Sequence, residues 1–200
     1  MVDLQKITLT KDAPAISLSK SEGAGGIIRV NLNWSQGSGK KGLSAKRSTV
    51  DLDLGCLYEL HSGSKGVVQA LGNGFGAVNS DPFIALDGDD RSGANTGGEN
   101  MSINVGSGRI KRALIFAYIY EGAANWGAAD GVVTLTPVSG PPIEVRLDAA
   151  GGNSKMCAVA LLSDAAGAVS VTREVRYIAG MQKELDEAYG WGMNWTAGKK

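Results

Sequence analysis

The sequence predicts an all-β fold, a two-sheet antiparallel β-sandwich with one short C-terminal helix, and three observations carry that prediction. Short segments of alternating or β-branched character recur at roughly ten-residue spacing. The 29 glycines are dispersed between these segments, as frequent turns require and as a low-complexity chain would not show. Only residues 181–189 carry a helical spacing, with Met181, Leu185 and Ala188 on one side and Gly180 and Gly190 just outside.

Taken in order, Ile7-Thr8-Leu9-Thr10 and Ala15-Ile16-Ser17-Leu18 alternate, and Ile28, Val30, Leu32 and Trp34 share one face with Arg29, Asn31 and Asn33 opposite. Residues 36–47 are basic and rich in Gly and Ser, the composition of a solvated loop. Residues 50–60 and 66–71 flank a Gly-Ser turn and read as a hairpin whose first strand opens on two carboxylates. A glycine-rich loop leads to a short strand at 83–86, a very polar stretch at 87–100 and renewed strand character at 101–105. Residues 113–120 are continuously apolar, as a central strand buried on both faces would be. Strand patterns follow at 131–138, 143–147, 157–162 and 169–178, and Trp191 and Trp195 in the tail are expected to cap the core edge.

A chain of 200 residues is expected to form a single domain over 1–200. Its 20 basic and 20 acidic side chains cancel, so no global field favours nucleic acid, and any charge-based function is local. No small-molecule substrate is evident. The opening residues Met1-Val2-Asp3-Leu4-Gln5-Lys6 fit neither a secretory leader nor a lipidation signal, and the apolar stretch at 113–120 is too short to cross a bilayer. A cytoplasmic protein is expected. Cys56 and Cys157 each sit in an apolar run and read as buried free thiols.

The chemistry concentrates in two acidic segments. Asp51 and Asp53 project from the same face of a strand, opposite Val50, Leu52 and Leu54. Two like charges side by side repel unless water or a cation screens them. Residues 87–100 add the carboxylates Asp87, Asp89, Asp90 and Glu99, the amides Asn95 and Asn100, and the hydroxyls Ser92 and Thr96. These hard oxygen donors select calcium, with magnesium second; zinc would want Cys or His, and His61 is the single histidine. An EF-hand fails on register: counting from Asp87, the fifth position is Arg91, the sixth Ser92 and the twelfth Gly98. If the segments converge, they could hold one or two Ca²⁺ ions.

Asp51-Leu52-Asp53-Leu54 followed by Gly88-Asp89-Asp90-Arg91-Ser92-Gly93 resembles the paired signatures of the TerD-domain family of bacterial tellurite-resistance and stress proteins. With Gly98-Glu99-Asn100 and Phe116-Ala117-Tyr118-Ile119-Tyr120-Glu121-Gly122, the pattern is most similar to the TerA-like branch, and it extends over residues 28–178. The resemblance implies a calcium-binding β-sandwich with no established catalytic reaction. It also implies assembly with related stress proteins, near the membrane. By position it makes Asp51, Asp53, Asp89 and Asp90 the foremost ligands. Where many relatives have an acid-rich tract, residues 94–100 hold the single acid Glu99, which predicts weaker or fewer calcium sites.

Two other readings compete. An enzyme needs a positioned base or nucleophile, and the chain has no Ser-His-Asp order, nucleophile elbow, P-loop or metal-hydrolase His pair. A calcium-dependent carbohydrate- or phospholipid-binding sandwich would use an open coordination position, with Trp126, Trp191 and Trp195 as a stacking surface.

Overall fold

A computed structural model of the chain describes residues 6–19, 25–35, 50–87, 97–122, 124–148, 151–165 and 168–196. The strands are β1 Ile7–Thr8, β2 Ala15–Ser19, β3 Ile27–Asn33, β4 Asp51–Leu60, β5 Lys65–Gln69, β6 Gly76–Ala77, β7 Ile84–Leu86, β8 Glu99–Asn104, β9 Ile110–Glu121, β10 Val132–Thr136, β11 Ile143–Arg146, β12 Met156–Ala165 and β13 Ala168–Ile178. Two helices join them, the single turn α1 Trp126–Ala129 and α2 Gln182–Tyr189.

The strands form a seven-stranded sheet, ordered β1-β11-β10-β3-β8-β7-β6, and a six-stranded sheet, ordered β2-β13-β12-β9-β4-β5. Alternation sets the inner face of the first sheet: Ile28, Val30 and Leu32 of β3 are buried, as are Met101 and Ile103 of β8 and Val133 and Leu135 of β10. One pairing departs from the all-antiparallel expectation, because β1 runs parallel to β11. No hairpin joins these two strands across the intervening chain, so no tight turn dictates their relative direction.

The unbroken apolar run of β9 has a three-layer cause. Ala113, Ile115, Ala117 and Ile119 join the core between the sheets, whereas Leu114, Phe116 and Tyr118 point outward into a second cluster with Leu185 of α2 and Trp191. α2 starts where Glu184 accepts a hydrogen bond from the Met181 N–H at 2.8 Å and stops at Gly190, whose φ is 63°. Beneath this layer a Cβ at Gly55 would lie 2.3 Å from the Phe116 ring, so glycine is required there for the ring to lie flat on β4.

A candidate metal-binding sheet edge

The site is built from the way β4 outruns its neighbour. Leu60 donates its N–H to Ser64 O at 2.8 Å, while Gln69 directs its own N–H away from β4, to Gly74 O at 2.9 Å. With Tyr58 opposite Gly66 and Cys56 opposite Val68, the alternating antiparallel ladder makes the even-numbered residues of β4 the ones that face β5. Leu54 is next in that row, but β5 has ended and the chain turns through Leu71–Asn73. Glu99 replaces the missing strand: its Oε2 accepts the Leu54 N–H at 2.5 Å.

Glu99 reaches this edge because it opens β8 on the inward side of the pleat, in line with Met101 and Ile103. Gly98 before it has φ 62°, and a Cβ there would lie 2.1 Å from Leu32 O. Only glycine admits this approach of β8 to β3. Asp87 donates its N–H to Asn100 O at 2.8 Å, which clips together the two ends of the acidic segment 87–100. The C-terminal end of that segment meets β4 at Leu54 through Glu99, and the backbone just before β4 is held by the Trp34 indole N–H on Val50 O at 3.1 Å.

The predicted site residues divide into three groups. Asp53 (1% exposed) and Glu99 (3% exposed) are buried on the strand edge where Glu99 meets β4. Asp53 therefore does not face water as an alternating surface strand would have it; its cross-strand neighbour is Tyr118, a member of the outer cluster with Leu185 and Trp191. Asp51 is half-buried at the same end, while Asp87 is exposed at the base of the loop. Asn100 lies on the opposite side of β8 from Glu99, where its Oδ1 accepts from Asn31 Nδ2 at 3.0 Å. Asp89, Asp90, Ser92 and Asn95 lie outside the described residues. Among the described residues no group of three or more His, Cys, Asp or Glu side chains is arranged to hold a metal ion.

One acid had no role in the sequence reading: Glu121 at the end of β9 stands directly across from Asp51. Like charges in such a pair destabilise a ladder. Nothing in the local pattern of Tyr120-Glu121-Gly122 reveals the pairing, which depends on the irregularity between Asp51 and Leu52 in the β4–β9 register.

Other chemistry is quiet. Burial pushes both cysteine thiols, Cys56 and Cys157, well above their ordinary range, the opposite of what a reactive thiolate needs. His61 is exposed, with Nε2 2.8 Å from Asp164. Trp126 is 2% exposed with its N–H on Ser154 O, and Trp191 is fully buried with its N–H on Tyr58 O. Neither presents a ring face for stacking, whereas Trp195, the third aromatic considered, is partly buried with its N–H on Asp186. No helix among the described residues is long and apolar enough to cross a membrane.

No protein-family model matches the chain. It is 45% identical over 204 aligned positions to the tellurium resistance protein TerA of an Alcaligenes species, an alignment that takes in 100% of this chain and 60% of TerA. The chain thus spans about 60% of that relative's length.

Proposed function

From the premise that the chain belongs to the Ter family, as a TerD-like protein, we propose that it is a non-enzymatic calcium-binding component of tellurium resistance and the stress response. In this reading it works in the cytoplasm as a scaffold or sensor within a complex of related Ter and stress proteins, assembled near the membrane. Calcium is the switch or brace: it is held between the start of β4 and the acidic segment 87–100.

The observation that carries the reading is the Glu99 carboxylate on the Leu54 N–H, which ties the acidic segment to the strand bearing Asp51 and Asp53. The donor chemistry fits the ion. Asp53 and Glu99 bring buried carboxylate oxygens to this edge, and Asp51 and Glu121 stand across from one another at the same end. Hard oxygens in excess suit Ca²⁺ before Mg²⁺. The residues that would hold one or two ions are Asp51, Asp53 and Glu99, with Asp87, Asp89, Asp90, Ser92 and Asn95 from the loop. Asn100, turned toward Asn31, serves the frame. Buried, unactivated thiols favour a structural part in resistance over direct reduction of tellurite by this chain.

Thermal unfolding with calcium and with chelator tests the proposal. At a free concentration about 100 times Kd, calcium adds roughly 2.7 kcal/mol, or about 5–10 °C in Tm for a chain of this size. An unchanged Tm overturns it. Pull-down of related Ter proteins that requires calcium is the corresponding test of the scaffold.

A further inference from the structure

The free side of β5 borders a second feature, which shares no residue with the proposed calcium ligands. β5 is the last strand of its sheet, and the parity that turns Gln69 outward also turns the N–H and C=O of Val67 and Lys65 away from β4. Gly74 bridges this edge at Gln69 and stands beside Val67 O, so the open part of the row is the Val67 N–H with the N–H and C=O of Lys65; a cavity of about 590 Å³ borders these residues, a size that suits a bound ligand. Its walls are Val67, Leu71, Met193 and Trp195, and its floor includes Gln69 and Gln182.

Three properties make this cleft a built site. Gln182 Nε2 donates to Gln69 Oε1 at 2.9 Å in a buried pair, and each amide keeps a further polar group, NH₂ on Gln69 and C=O on Gln182. The tail wall is fixed: the Asp186 carboxylate accepts the N–H of Gly192 at 2.7 Å, of Met193 at 2.9 Å and of the Trp195 indole at 3.0 Å. A preformed wall spares the ordering cost of binding. Among the described residues Lys65 is the single charged one lining the cleft, and one of its three N–H donors goes to Trp191 O at 2.7 Å.

We propose that this cleft binds an extended peptide segment ending in a carboxylate, which adds to β5 as a further strand. The Val67 N–H and the outward N–H and C=O of Lys65 supply the main-chain hydrogen bonds, the apolar walls take an alternate side chain, and Lys65 Nζ takes the carboxylate. An acidic lining residue would oppose this ligand, and the described lining has none.

The probe is a hexapeptide of alternating Thr and Val ending in Leu with a free carboxylate, followed by amide chemical shifts on the full chain. Shifts confined to β5 and residues 192–196, with binding weakened about tenfold or more by amidating the peptide terminus or by Lys65→Gln, are expected. Val67→Pro removes an outward N–H that the sheet does not use, a change an edge strand tolerates, and should abolish binding. Should that variant misfold, Trp195→Ala, outside every strand, tests the same wall. Absence of shifts in β5, or equal affinity for the amidated peptide, overturns the proposal. Performing the titration in calcium and in chelator separates it from the acidic edge, because the cleft contains no proposed calcium ligand.

Discussion

The two ends of β4 each bury a carboxylate, and they set it among different cross-strand neighbours. Glu59 lies opposite Arg112 in the register of β9, with Lys111 Nζ and Arg112 Nε each 2.7 Å from one of its oxygens. Hydrogen bonds from Lys111, and then the charge and hydrogen bond of Arg112, hold its carboxyl down at about 2. At the other end the cross-strand residue facing Asp51 is another acid, Glu121, and Glu99 arrives from the opposite sheet. The fold thus places cations where a carboxylate is structural. Where it collects carboxylates instead, it offers the hard oxygen donors on which the calcium proposal rests.

Breaking the self-balanced end should have the largest effect. Arg112 also lies 3.8 Å over the Trp191 ring and donates to Tyr189 O and Gly190 O, so it fastens the α2 layer as well as Glu59. Arg112→Ala should cost about 3 kcal/mol in urea unfolding, equally with and without calcium. A loss below about 1 kcal/mol would place this pair among ordinary surface bridges.

The acidic end should respond in the opposite way. Asp51→Asn with Asp53→Asn should remove the calcium-dependent gain of roughly 2.7 kcal/mol while relieving the like-charge pair in the metal-free protein. A full calcium shift in that variant would mean that the ion binds elsewhere. Glu99→Gln sharpens the distinction, because the amide oxygen can still accept the Leu54 N–H. Stability without calcium should change by no more than about 1 kcal/mol, and calcium affinity should fall about tenfold; an unchanged affinity would reduce Glu99 to a strand cap.

The sandwich was legible because its signals are local: β3 alternates in sequence as it does in space, and β9 announces a doubly covered strand by its unbroken apolar run. Its neighbours were not legible, since pairing of β1 with β11 or of Asp51 with Glu121 joins residues whose separation leaves no periodic trace. The acidic constellation was readable as chemistry but not as geometry. Asn100 and Glu99 are adjacent in sequence, and the pleat alone sends them to opposite faces. Water or a cation could each have screened Asp53 in the sequence; its burial is not local, since its cross-strand neighbour Tyr118 belongs to an outer cluster completed by Leu185 and Trp191, more than 100 residues later.

The smallest effect is a slope with pH, and it separates the ends without touching either metal or fold. Glu59 in the folded protein binds its proton only near pH 2, against an ordinary value of 4.5. The unfolded chain therefore takes up that proton first as the pH falls, and the stability contributed by the pair, complete above 4.5, is lost as the pH drops toward 2. The difference in unfolding free energy between wild type and Glu59→Gln should be flat above 4.5 and shrink below it. Measured in chelator, the difference isolates Glu59, since the two proteins share every other carboxylate. A difference independent of pH throughout the acid range would mean that Lys111 and Arg112 do not stabilise the ionised carboxylate, and the contrast between the two ends of β4 would lose its electrostatic basis.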